Sequence, residues 1–300
     1  MTVTAASTPP RLGLGLVLAL AGAVAFSGKA IIIKLAYRHG VDAVTLLMYR
    51  MLFALPFFLA LAWWAGRGKA ALTARDLRAV LLLGFSGYYL ASFLDFMGLQ
   101  YISAGLERLI LYLNPTLVLL LGVLFFKQRV KPMQLVALCV SYAGVLLVFG
   151  QEVRAEGAHV ALGAALVLGS ALSYAVYLLL SAAEVQRLGA LRLTGWATTV
   201  ACVLCILQFV LLRPLSAAIV APEVISLSLA NATLCTFAPV LLVMMALERI
   251  GAVLTAQASM VGPLSTLLLG VLFLGERLDG GVLAGTALVL LGVLLLARWR

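Results

Sequence analysis

Leu119-Leu120-Leu121-Gly122-Val123-Leu124-Phe125 recurs residue for residue as Leu267-Leu268-Leu269-Gly270-Val271-Leu272-Phe273. The two copies lie 148 positions apart. Residues 99–147 placed over 247–295, with no gap, match at eighteen of 49 positions. Leucine-rich sequence matches itself by chance, but the alignment also sets Pro115 on Pro263 and Arg129 on Arg277. Gly144-Val145-Leu146-Leu147 falls on Gly292-Val293-Leu294-Leu295. The same shift sets Gly15 on Gly163 and Phe26 on Tyr174, and the third apolar run over the eighth. The chain reads as two halves, 1–150 and 151–300.

Composition says where these halves live. Apolar residues make up 64% of the 300 and charged ones 11%, far from the mix of a soluble domain and the opposite of a disordered chain. A membrane-crossing helix needs about 20 apolar residues. Ten runs meet that: 12–36, 43–65, 77–98, 103–126, 132–150, 158–183, 192–213, 223–247, 251–274 and 280–297. The fold class is therefore all-α, a polytopic membrane protein. The first run follows Arg11 and passes a cleavage-like Ala23-Val24-Ala25, but it continues through Ile31-Ile32-Ile33. That is too long for a signal core, so it is expected to stay as a helix. The net charge of +10 does not form one patch, which argues against nucleic acid.

Five runs per half is an odd number, so the halves should insert in opposite senses, an arrangement of transporters with substrate bound between them. With the N-terminus inside, thirteen Lys and Arg fall in cytoplasmic segments and only Arg38, Arg154, Arg213 and Arg277 outside. This is a positive-inside bias. Lys127-Gln128-Arg129-Val130-Lys131 in one half becomes Gly275-Glu276-Arg277-Leu278-Asp279 in the other. All four Trp fall near the expected inner interface, where an aromatic belt belongs.

Charges inside the bilayer mark function by default. Six fall within spans, all in the first half: Lys29, Lys34, Arg50, Asp95, Glu107 and Arg108. They should cluster in the outer third. Arg50, Asp95, Glu107 and Arg108 read as a gate or ion-pair group, Lys29 as the deepest cation and a handle for a substrate carboxylate. Asp95 and Glu107 are the candidate proton carriers. Pro115 and Pro263 should free the carbonyls of Leu111 and Ser259 and act as hinges. Asn114 is placed either to meet substrate or to cap the kink.

Polar and aromatic side chains at helical spacing supply the remaining cavity candidates. Phe85, Tyr89, Ser92 and Phe96 share one face of the third run on α-helical spacing, as do Tyr88, Ser92 and Asp95. Ser170, Tyr174 and Tyr177 share a face of the sixth, Thr236 sits at the matching level of the eighth, and Gln257 and Ser259 are on the ninth. Aromatic faces with a few polar groups suit a flat apolar ligand with a polar head. The four cysteines lie within spans and read as small apolar side chains. There is no phosphate-loop motif, so no cofactor is expected and transport would be facilitated or coupled to an ion gradient. Gly84-Phe85-Ser86-Gly87 resembles the nucleophile turn of an intramembrane protease, but His39 and His159 fall in loops, so the chain is not read as an enzyme.

Two five-helix halves, each with a mid-span Pro, a Gly and a short charged turn, resemble the drug/metabolite transporter superfamily, EamA-like type. Leu274-Gly275-Glu276-Arg277, then Gly285 and Gly292-Val293, carries the usual turn of that family. Arg50 matches its frequent span-2 arginine. Lys127-Gln128-Arg129 departs, with Gln where the family usually has Glu. Within the superfamily the chain is most similar to bacterial aromatic amino-acid exporters. The resemblance implies a ten-helix basket with both termini cytoplasmic, in a bacterial inner membrane. Helices 1, 3, 4, 6, 8 and 9 would line a central cavity, 4 and 9 would cross near its centre, and 5 and 10 would pack outside. The expected function is export of amino acids, aromatic and hydrophobic ones included, by a monomer. The alternative is export of drugs or lipophilic cations.

Overall fold

In hydrocarbon a backbone has no water to bond, so each apolar run must satisfy its own N–H and C=O groups as a helix. The computed structural model describes residues 12–126, 131–259 and 261–298. The side chains of several helical positions, Gln257 and Ser259 among them, lie outside the described residues. In the first half, α1 spans Leu12–Tyr37 and α2 spans Ala43–Gly66. The third segment is α3 (Ala74–Leu83), a π-helical stretch (Gly84–Leu90) and α4 (Ala91–Gly98). α5 (Ala104–Leu111) and α6 (Asn114–Phe126) form the fourth, and α7 (Pro132–Glu156) the fifth.

The second half repeats the order. α8 is His159–Leu188 and α9 is Ala190–Leu212. α10 (Pro222–Ala232), a π-helical stretch (Thr233–Phe237) and α11 (Ala238–Ser259) follow. α12 (Gly262–Leu269) continues into a third π-helical stretch, Gly270–Leu274, and α13 is Gly280–Arg298. Among the described residues there is no strand. Nine helices there are long and apolar enough to cross a membrane, and the apolar helix Gly262–Leu274 is shorter.

One boundary differs from the sequence expectation. The eighth run was expected to end at residue 247 and the ninth to begin at 251, but α11 carries helical bonding on to Ser259. The stretch 244–258 holds no Pro and a single Gly, so nothing in it forces the bonding to stop. Gly22 lies against Val243, Gly15 against Ile250, and Ser27 against Gly262. The chain thus runs down along α1 and is back at the level of Ser27 by Gly262, at the start of α12.

Repeat-equivalent elements pack in a reciprocal pattern. α2 lies on its counterpart α9, and α7 on its counterpart α13. α1 packs on α11, while α8, the counterpart of α1, packs on α4, the counterpart of α11. The equivalent pairs run antiparallel. Gly195 meets Ala62 and Cys202 meets Met51, so α9 ascends as α2 descends. Gly144 meets Gly285 and Gly292 meets Ser141 in the same manner along α7 and α13. Small residues allow this approach, as is usual where lipid supplies no hydrophobic drive between helices.

Three helix starts in the first half, those of α2, α3 and α5, are capped by side chains. Asp42 accepts from the backbone N–H groups of Val44 (3.0 Å) and Thr45 (3.3 Å), and Arg213 Nε donates to it at 3.1 Å. Partial burial works to raise the Asp42 carboxyl, but the bonds from Thr45 and Arg213 hold it below the ordinary carboxylate value. Thr73 and Asp76 form a reciprocal capping box on α3. At the start of α5 the backbone N–H of Ala104 donates to Glu276 Oε1 at 2.8 Å, and that of Ser103 to Glu152 at 3.2 Å. Two carboxylates from elsewhere in the chain thus face a helix N-terminus, the favourable end for negative charge.

Candidate functional site

α1, α4 and α5 bring three charges together inside the bundle. Lys29 Nζ lies 2.6 Å from Asp95 Oδ2 and 3.0 Å from Glu107 Oε1. Asp95 and Glu107 are buried, 3% and 1% exposed. Sequence places them there simply. Asp95 is on the buried face of α4 beside Phe96, and Glu107 is in the first turn of α5, between Leu106 and the core residue Leu109. Charges in such surroundings persist only when paired, since an uncompensated one costs several kcal/mol.

The two arginines of the cluster are held differently. Arg50 is buried, donates from Nε to Thr236 Oγ1 at 3.0 Å, and its guanidinium stands 5.2 Å from the centroid of the Phe96 ring. Arg108 donates from Nε to Thr266 Oγ1 and from a terminal nitrogen to Ser27 Oγ, both at 3.0 Å. Ser27 in turn donates to Gly262 O at 2.9 Å. Neither guanidinium makes an ion pair among the described residues. Lys34 donates to Ile102 O at 2.6 Å, outside the cluster. The π-helical stretch of the second half matters here: Thr236 donates to Asn231 O, five residues back, and presents its oxygen to Arg50.

A second group is aromatic. The hydroxyls of Tyr88 and Tyr177 are 3.1 Å apart and their rings meet edge to face at 5.2 Å. Tyr174 stacks on Tyr177 at 5.4 Å. Tyr89 packs against the core that holds Phe58 and Phe96, with Phe85 5.5 Å away. The single α-helical face read across the third segment does not form: Phe85 is 45% exposed and Phe96 fully buried. Likewise Tyr88 meets α8 while Asp95 meets α1. The cause is the π-helical stretch Gly84–Leu90, whose extra residue rotates everything after it. Ser92 is half-buried. Ser86, centre of the protease-like turn, donates to Leu82 O.

The prolines also sit differently from the expected mid-helix kinks. Pro115 and Pro263 each occupy the second position of a new helix, α6 and α12, where a missing N–H is harmless. Asn114 Nδ2 donates to Leu111 O at 2.8 Å and so occupies the carbonyl that Pro115 leaves free. A cavity of about 760 Å³ lies near Lys34, Tyr37, Gln151, Glu152, Glu276 and Asp279. Among the described residues, none of the sequence-selected cavity or gate side chains lines it. Gln257 and Ser259 lie outside the described side chains. Sequence reading missed Ser27, Thr266 and Asn231. Their only signal is a polar atom on an otherwise apolar face, which in a membrane helix must find a partner.

Known proteins fit this architecture. A family model described as the EamA-like transporter family matches twice, over residues 13–150 and 161–298. The uncharacterized transporter YcbK of Bacillus subtilis is 31% identical over 271 residues, covering 88% of this chain and 86% of that protein. The chloramphenicol-sensitive protein RarD of Pseudomonas aeruginosa is 33% identical over 135 residues, 41% of this chain and 44% of that one. A solved crystal structure shares the fold with a TM-score of 0.63 at 20% identity, over 95% of this chain and 97% of that one. Two matches to one family model, spanning nearly the whole length in the same two halves that pack reciprocally, establish that the chain belongs to the EamA-like transporter family.

Proposed function

We propose that this protein exports amino acids, aromatic and other hydrophobic ones included, from the bacterial cytoplasm. It would do so as a monomer by alternating access between two inverted five-helix halves, with both termini cytoplasmic. The antiparallel packing of α2 on α9 and of α7 on α13 supports the inversion. One observation carries the substrate reading. Arg50 and Arg108 are inside the bundle and donate to hydroxyls, not to carboxylates. A hydroxyl is a weaker partner for a guanidinium than an anion is, so a substrate carboxylate can take its place. The Asp95–Glu107 pair offers the complementary place for an ammonium, and Tyr88, Tyr174 and Tyr177 offer apolar rings. That is the charge pattern of a zwitterion with an aromatic side chain.

The same carboxyl pair favours a second reading, a carrier of lipophilic cations, because two acids there share one ammonium. Uptake into proteoliposomes separates the two. Radiolabelled phenylalanine should accumulate faster than in empty vesicles, and tetraphenylphosphonium should not. Movement of the cation without phenylalanine would overturn the amino-acid reading.

A further inference from the structure

The three charges in direct contact are unequal in number, one ammonium against two carboxyl groups. Both carboxyls reach the same Lys29 nitrogen, so they are neighbours. Asp95 has a short charged bond through Oδ2. Glu107 has the ammonium at 3.0 Å but no formed hydrogen bond at either oxygen among the described residues. An ionised carboxylate in such a place ordinarily gathers several donors.

The surroundings do not supply them. On its own helix, Arg108 turns to Thr266 and Ser27. From α2, Arg50 is held by Thr236 and Phe96. From α1, Tyr37 donates to Phe96 O and leaves Lys29 as the one charged donor in contact. α7 brings Glu152, which is engaged at the start of α5. α8 brings Tyr174 and Tyr177, which stack on each other, and His159, which stacks on Tyr101. α12 carries no titratable residue, and the one on α13 is Arg298 at its far end.

We infer that Asp95 and Glu107 form a binding site for one exchangeable proton, carried on Glu107. With the proton present, Lys29 and Asp95 make a neutral ion pair and Glu107 is a neutral acid beside it. Resting on the transport reading above, the site is where a coupling proton exchanges with substrate. The Glu107 O–H bond breaks, its electron pair stays on the oxygen and the proton passes to water on the open side. The carboxylate so formed accepts the ammonium of the incoming substrate. The reverse exchange resets the site from the other side.

The test uses purified full-length protein in lipid nanodiscs and needs no substrate, so it stands or falls apart from the amino-acid reading. The carbonyl stretch of a protonated carboxyl is recorded by infrared difference spectroscopy across a pH titration. Wild type should show this band at neutral pH, lose it on alkalinisation and shift it in heavy water. Glu107→Gln should lack it, and Asp95→Asn should move its titration to lower pH, because Glu107 is then the sole acid facing Lys29. Absence of the band in wild type at neutral pH overturns the inference without any variant. A band unaffected by Glu107→Gln, or one that does not shift in heavy water, overturns it equally.

Discussion

Among the described residues Lys29 is the cation in contact with two buried acids, so its removal should cost stability. Lys29→Ala leaves Asp95 and Glu107 without their ammonium, a loss of about 3–5 kcal/mol for a broken buried pair if both stay ionised. A lowered melting temperature is the expected result. The transport expectation is distinct. Per folded molecule, Arg108→Gln should slow phenylalanine more than phenylalanine amide, which lacks the carboxylate. Equal slowing of both ligands would make Arg108 a structural residue. The charged members of this cluster were legible in sequence because a Lys, Asp or Glu within an apolar run has no neutral explanation. The hydroxyls that hold the arginines were not, since Ser and Thr are common packing residues in membrane helices. Nor was the geometry of Asn114, whose Nδ2 donates to Leu111 O.

Among elements, the crossing of α4 and α8 is tightly packed. A Cβ on Gly98 would stand 2.5 Å from Val167 Cγ2 and 2.8 Å from Gly163 O. Backbone oxygen cannot swing away as a side chain can, so Gly98→Ala should separate the helices at a cost of roughly 1–3 kcal/mol. Gly150→Ala is the matched control, because nothing lies within 4 Å of its Cβ position. A thermal-stability assay in detergent should show a lower melting temperature for the first and none for the second. An unchanged Gly98→Ala would mean that the two helices are not in this contact. Sequence periodicity located these helices well, since apolar length decides insertion. It misjudged the face of the third segment because a π-helical stretch leaves no compositional mark. Gly84-Phe85-Ser86-Gly87 and Thr233-Leu234-Cys235-Thr236 share only small residues with each other. Their equivalence emerges when the 148-residue shift is laid over the helical bonding.

At the scale of the molecule, the halves should face opposite sides of the bilayer. In a background with the native cysteines replaced, cysteine at Lys69 should resist an impermeant thiol reagent in intact cells, and cysteine at Asp279 should react. A second pair makes the comparison within the repeat, because Lys131 and Asp279 are equivalent under the shift. Reaction of both from outside would refute the inverted arrangement. The two halves were legible as sequence repeats. How they interlock was not, because reciprocal pairing of α1 with α11 and of α8 with α4 is a property of space alone.

That reciprocity has a temporal side. A chain is made from its N-terminus at about 5–20 residues per second, and some two hundred residues separate the end of α1 from the start of α11. For on the order of ten to forty seconds, α1 waits in the membrane without the helix it will pack along. Asp95 and Glu107 emerge far sooner, so Lys29 can be engaged while that groove is still empty. The ion pair then serves as a temporary mooring for the first helix, and its loss would be felt during biogenesis before any substrate is bound.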